Sequence, residues 1–213
     1  MSGPTTRCAR VAFDLYGTLL DVAGLAARLQ PLCGDGAPAF LAAWRKAQLE
    51  LTWRLNAEGA YRPWDAVTAE ALLAVAPELG HQARARMCET WLSLPAFPDA
   101  RAALDALGAA GVKRLALSNG TRRMIESALS AAGLPIDSVL SADDVKAFKT
   151  DPRVYALLPR EGSLFASGNG WDAEGAKRSG LAVAWINRGR EPPGLAPDVT
   201  AASLAEVASW AAG

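Results

Sequence analysis

The sequence predicts an α/β fold, a doubly wound parallel-sheet core that carries an inserted α-helical cap domain. Three patterns predict it. Val11-Ala12-Phe13 is a short apolar run stopped by Asp14 and the turn-forming pair Gly17-Thr18, as expected of a buried strand that ends in a carboxylate. Residues 22–94 then show helical spacing with no convincing strand among them. After the punctuation of Pro95, Pro98 and Asp99, strand and helix patterns alternate in the manner of a parallel sheet with crossover helices. The expected division is a core domain of residues 1–21 and 95–213 with a cap domain of residues 22–94 inserted after the first strand.

Taken in order, the helical segment carries two apolar stripes. Phe40, Trp44, Ala47, Leu51 and Leu55 form one, and Trp64, Val67, Ala71 and Val75 the other, each at the three- and four-residue spacing of a single helix face. In the second half Arg114-Leu115-Ala116-Leu117 reads as a strand, and Ile125, Ala128, Leu129 and Ala132 form a helix face closed by Gly133. Asp151-Pro152 is a helix cap followed by a first-turn proline. Residues 164–166 and 181–186 are buried-strand runs, with a helix over residues 171–179 between them. Glu191-Pro192-Pro193-Gly194 is the one evident loop cluster.

Composition narrows the function classes. The chain has 213 residues, enough for one sizeable core with an insertion. Its 22 Lys plus Arg balance 22 Asp plus Glu, so no basic field exists for nucleic acid or an anionic membrane surface, and neither is expected as a partner. Cys8, Cys33 and Cys88 are odd in number and form no C-x-x-C pair, which fits free thiols in a reducing compartment. The polar start MSGPTTRCAR predicts neither an export signal nor a membrane span, so a cytoplasmic protein is expected. His81 is the single histidine, which rules out multi-histidine metal sites. It falls in the helical segment, and no G-x-S-x-G elbow is present, so a histidine-dependent serine or cysteine hydrolase is a poor fit.

In a doubly wound sheet the ligand crevice lies at the C-terminal ends of the strands, and several polar residues fall there. They are Asp14 after the first strand, Ser118 and Asn119 after Leu117, and Ser167 and Asn169 after Ala166. Lys149, just before a helix start, and Asp172, at the opening of the next helix, belong to the same rim. Taken singly, such residues are ordinary turn formers and caps. Asp14 is harder to dismiss, because a carboxylate ending an apolar run is costly unless a cation faces it. Lys149 is the evident counter-ion, and the set amounts to two carboxylates, one ammonium and several neutral hydrogen-bonding groups.

FDLYGTLLD at residues 13–21 resembles the first motif of the haloacid dehalogenase superfamily, which presents a nucleophilic aspartate. AWRKAQLELTW (43–53), LALSNGT (115–121), AFKTDPRVYALL (147–158) and SGNGWDAEGA (167–176) resemble its L-2-haloacid dehalogenase branch. These five ordered motifs span nearly the whole chain. The resemblance implies a HAD-like Rossmannoid core with a helical cap and hydrolysis of short-chain L-2-haloacids to D-2-hydroxy acids. The implied partners are the haloacid, water and halide, with no cofactor, and relatives are often homodimers. Phosphatase members carry a second aspartate where this chain has Tyr16, and an acidic metal ligand in the stretch Ser167-Gly168-Asn169, where it keeps only Asp172. Mg²⁺ favours anionic oxygen ligands, so no metal is expected.

The resemblance also implies roles. Asp14 attacks the α-carbon to form an ester, and water activated by Asp172 and positioned by Asn169 hydrolyses it. Lys149 and Ser167 orient Asp14, with Thr18 and Tyr155 in support. Ser118, with backbone amides, takes the substrate carboxylate, while Arg45 and Asn119 hold the departing halide. Leu15, Tyr16, Leu49, Trp64 and Trp171 line the substrate pocket together with Arg45, Ser118, Asn119 and Lys149. Without the resemblance, Arg45 reads as an arginine whose stem covers apolar surface with its head in water. Lys46 stands where the family commonly has glutamine and Thr150 where it has proline, which predicts an extra cation near the entrance and a looser Lys149 loop. The same chemistry on fluoroacetate or a strained heterocyclic acid is the alternative.

Overall fold

The structure, a computed structural model, describes residues 8–213; residues 1–7, on which the expected absence of an export signal partly rests, lie outside the described residues. Strand β1 (Arg10–Phe13) is followed by four helices, α1 (Ala26–Cys33), α2 (Ala37–Ala57), α3 (Trp64–Val75) and α4 (His81–Glu89). The chain then returns through α5 (Ala100–Ala109) and β2 (Lys113–Ser118) to α6 (Arg122–Ala132), β3 (Ser138–Ser141) and α7 (Pro152–Tyr155). Last come β4 (Ser163–Ser167), α8 (Gly170–Arg178), β5 (Ala182–Ile186), β6 (Val199–Ala201) and α9 (Leu204–Ala212). The strands make one parallel sheet in the order β3-β2-β1-β4-β5-β6. That order puts β1 at the centre, where the winding direction reverses and a crevice opens at the strand ends.

Alternation along the strands divides the core. Val11, Phe13, Leu164 and Ala166 face one side with α5 and α9, whereas Ala12, Phe165, Leu115 and Leu117 face the other with α7 and α8. Gly133 closes α6 at φ 62°, and Asp151 caps α7 by accepting the Arg153 N–H at 2.9 Å, as the sequence predicts. Strands β3 and β6 escape a reading by apolar runs. They are the two outer strands, four and three residues long, only partly buried, and SVLS and VTA offer no continuous apolar stretch.

In the helical segment Trp44, Leu51, Leu55, Trp64, Val67 and Ala71 are buried, while Phe40, Ala47 and Val75 sit at the margin. Gln48 joins the buried face of α2 because α3 supplies a partner, the Thr68 hydroxyl, at 3.0 Å. The segment leaves and rejoins the sheet layer at one place. Leu20 and Ala96 pair antiparallel, with Asp21 N–H donating to Pro95 O at 2.8 Å and Phe97 N–H to Leu19 O at 2.9 Å. Among the described residues no helix is long and apolar enough to cross a membrane.

Candidate active site

Strand β1 delivers Asp14 to the crevice with its side chain 8% exposed. Its Oδ1 accepts from Lys149 Nζ at 2.9 Å. Its Oδ2 accepts from Thr18 Oγ1 at 2.7 Å and from Asn169 Nδ2 at 2.9 Å. Lys149 Nζ donates equally, at 2.9 Å, to Oδ2 of the wholly buried Asp172, so one ammonium bridges two carboxylates. Asp172 accepts further bonds from Tyr155 OH at 2.7 Å and Ser167 Oγ at 2.9 Å.

Burial alone would discharge Lys149, but Asp14 and Asp172 outweigh it and hold the ammonium above its ordinary pKa. Burial raises Asp172 above the usual carboxylate range against the opposing pull of Lys149, with Asp14 adding to the rise. Burial, then Asp172, keeps the Tyr155 phenol protonated far beyond its ordinary value, so it remains a donor. The Lys149 loop is held on both sides despite Thr150. Lys149 N–H donates to Asn119 Oδ1 at 2.8 Å, and Asn56 on α2 exchanges bonds of 2.9 and 3.0 Å with the Phe148 backbone.

A pocket of about 330 Å³ opens beside Asn169, lined by Tyr16 and Gly17, apolar residues of α1 and α2, and two arginines, Arg45 and Arg190. Arg45 does not turn its head to water. Its guanidinium carbon lies 5.7 Å from the Trp64 ring and 5.8 Å from the Trp91 ring, with Nη1 3.3 Å from Gln48 Oε1. Burial lowers its pKa to about 10 while Asp14 opposes the fall, so the group stays charged at neutral pH. Tyr16 OH and the indole N–H groups of Trp64 and Trp91 are buried with no partner among the described residues.

Arg190 approaches from the loop after β5. Its Nη1 donates to Asn169 Oδ1 at 2.8 Å and to Gly17 O at 3.1 Å. Gly17 sits at φ 91°, a backbone conformation that favours glycine, and a Cβ there would push the Arg190 guanidinium from its place.

Several expected roles change. Ser167 bonds Asp172 rather than Asp14, because its place at the end of β4 directs it toward the first turn of α8. Asn169 is spent on Asp14 and on Tyr16 O, at 2.9 and 3.1 Å. Ser118 is almost fully buried and accepts the Gly120 N–H at 3.2 Å. Leu15 points into the core and Trp64 stands behind Arg45, so of the expected apolar lining only Tyr16 and Leu49 face this pocket. Trp171 packs edge-on against Trp53 at 6.2 Å and lines a separate cleft with Thr150 and Pro152. Lys46 is 75% exposed and faces Glu50 at 3.7 Å, so the extra cation of the pocket is Arg190 instead. Asn119 spends its oxygen on Lys149 N–H, and its Nδ2 has no partner among the described residues.

His81 is exposed at the start of α4, and the described residues hold no cluster of three or more His, Cys, Asp or Glu that would bind a metal. Arg190, Asn56 and Trp91 are the residues that the sequence reading misses. Arg190 had a signal, for Asn187-Arg188-Gly189-Arg190 directly follows a strand end like every residue first singled out.

The family model of haloacid dehalogenase-like hydrolases matches residues 9–180. (S)-2-haloacid dehalogenase H-109 of Pseudomonas putida is 34% identical, with 94% of this chain and 96% of that protein covered. (S)-2-haloacid dehalogenase of Pseudomonas sp. strain YL is 36% identical, covering 92% and 91%. The solved structure of L-2-haloacid dehalogenase from Xanthobacter autotrophicus, with chloropropionic acid covalently bound, superposes with a TM-score of 0.91 at 28% identity, covering 97% and 99%.

Proposed function

The chain belongs to the haloacid dehalogenase-like hydrolase family, and from that premise we propose that it hydrolyses short-chain L-2-haloacids to D-2-hydroxy acids through an ester on Asp14. One observation carries the reading: a buried aspartate, bridged to a second by a single lysine, accepts a hydrogen bond from Asn169, which lines a small pocket whose charged groups are two arginines. Residues 22–94 serve as a cap over the core of residues 1–21 and 95–213. The partners are the haloacid, water and the released halide. The free thiols of Cys8, Cys33 and Cys88 support a cytoplasmic setting.

The hydrogen bonds divide the work between the two oxygens of Asp14. Oδ2 has both lone-pair directions filled by Thr18 and Asn169, whereas Oδ1 has only Lys149 and keeps one free. Oδ1 therefore attacks the α-carbon, the carbon–halogen bond breaks with its electron pair, and the carbon inverts. Arg45 and the Nδ2 of Asn119 receive the halide. In the ester, Oδ2 is the carbonyl oxygen, and Thr18 and Asn169 already donate to it as an oxyanion hole. Water adds to the Asp14 carboxyl carbon, passes its proton to Asp172, and the bond from that carbon to Oδ1 breaks. Oδ1 leaves with the product and takes the proton from Asp172, so Asp14 is restored with an oxygen from water.

Lys149 already supplies the positive charge between the two carboxylates, and among the described residues no third acid stands beside them to hold a metal. Turnover is therefore expected to survive exhaustive chelation. The test is halide release from L- and D-2-chloropropionate, with mass spectrometry of Asp14 after multiple turnovers in ¹⁸O-water. The L substrate should give D-lactate and labelled Asp14, and Asp14→Ala should be inactive while folded. Release from the D enantiomer alone would overturn the assignment.

A further inference from the structure

We propose that Arg190 is a positioning residue for the hydrolytic half of the reaction: its guanidinium holds the amide oxygen of Asn169 and sharpens that amide as a donor to Oδ2 of Asp14, where charge gathers when water attacks the ester. The inference rests on the dehalogenase reading and goes beyond it by assigning a residue to one of the two half-reactions.

Among the described residues two donors serve Oδ2, and each is braced from behind. Thr18 Oγ1 donates to Oδ2 at 2.7 Å and accepts the Gly168 N–H at 2.8 Å. Asn169 Nδ2 donates to Oδ2 at 2.9 Å, and its Oδ1 accepts from Arg190 Nη1 at 2.8 Å. Turning the amide over would set its oxygen against Asp14 Oδ2 and Tyr16 O and its nitrogen against the guanidinium, so one orientation is fixed. The two braces differ in kind, for one is a neutral backbone amide and the other a cation. A cation on an amide oxygen draws electron density from the nitrogen and makes its N–H groups better donors. The same Nη1 bonds Gly17 O at 3.1 Å, which ties Arg190 to the turn that follows Asp14.

Charge at Oδ2 moves in opposite directions in the two halves. Alkylation at Oδ1 consumes the carboxylate charge, so Oδ2 gives up its share and becomes a neutral carbonyl oxygen. Attack of water sends the carbonyl π pair to Oδ2, which then bears a full negative charge, while a water proton passes to Asp172. When the oxyanion collapses the bond to Oδ1 breaks, the product oxygen takes that proton, and Asp14, left as the acid, releases its own proton to solvent. An interaction speeds a step only when it strengthens toward the transition state. Arg190, acting through Asn169, therefore favours hydrolysis and holds back alkylation slightly.

The test follows turnover of L-2-chloropropionate by rapid quench and intact-protein mass spectrometry in wild type, Arg190→Met and Arg190→Lys, each checked by thermal melting. At saturating substrate the ratio of esterified to unesterified enzyme reads the rate of alkylation over that of hydrolysis. That ratio should rise about tenfold in Arg190→Met, with halide release in the first turnover unchanged or faster, and should fall back part of the way in Arg190→Lys. A general loosening of the fold would slow both halves and leave the ratio where it was. In an Asn169→Ala background Arg190→Met should add little, because its route to Oδ2 is gone. A ratio unchanged or lowered in Arg190→Met, or the full effect persisting without Asn169, overturns the proposal. No halide and no adduct from the wild type with any 2-haloacid would end the dehalogenase reading and the Arg190 role with it, whereas wild-type turnover with an unchanged ratio ends the Arg190 role alone.

Discussion

At the strand ends every oxygen of Asp14 and Asp172 accepts hydrogen bonds of 2.7–2.9 Å. Across the pocket, on the helical segment, Arg45 has one bond of 3.3 Å and two aromatic faces, and three buried donors on Tyr16, Trp64 and Trp91 have no partner among the described residues. The contrast follows from what each side must do. A nucleophile and a base work only when held in one geometry, so their supporting bonds are filled before substrate arrives. A site for a leaving anion works by gaining interactions as charge develops, and donors already satisfied in the ground state would have nothing to add.

The sharpest way to break that contrast is Lys149→Met. It leaves two buried carboxylates facing each other without a cation, and should cost about 3–5 kcal/mol of stability, read by urea unfolding, and essentially all turnover. Retained activity would mean that the bridge is ornamental. On the opposite side Arg45→Lys keeps the charge but loses the planar fork between the indoles, so turnover should fall about a hundredfold with stability little affected. Near wild-type halide release would remove Arg45 from the reaction.

The smallest expected effect tests the electrostatics of the saturated side. Asp172 must be ionised to accept a proton, and its raised pKa puts the acid limb of the rate profile above the ordinary carboxylate range, with activity lost as pH falls through it. Tyr155→Phe removes a donor that favours the ionised form, so the limb should move further up in pH while the rate on the plateau holds. A limb that stays in place in kcat measured against pH would assign it to another group.

What was legible in the sequence depended on reach. Asp14, Asn119, Asn169 and Asp172 could be found because each stands at a strand end or opens the next helix, and the topology of a parallel sheet brings those points together. Which of them touch was not legible. Ser167 follows Ala166, the sheet partner of Phe13, just as Asp14 follows Phe13, and only the path of the chain into α8 decides that it bonds Asp172. The Phe148 clamp joins residues 92 positions apart, and nothing local in Asn56 announces it. Arg190 was hidden differently, since the Pro-Pro-Gly run beside it reads as a plain turn and draws attention from the cation that the turn projects. The outer strands were hidden by exposure, which removes the apolar signal that marks an inner strand.

The antiparallel tie between Leu20 and Ala96 has a meaning for descent as well as for form. The chain departs and returns through one short stem, and beyond it the helices touch the core again where Asn56 clamps the Phe148 backbone beside Lys149. Substrate preference can then vary with the rest of the helical segment, provided that α2 keeps Asn56, which holds the Lys149 loop, and Arg45. For an engineer the same stem is a graft site, where a helical module that carries equivalents of Arg45 and Asn56 could be spliced between residues 20 and 96 to bring new substrates to an old nucleophile.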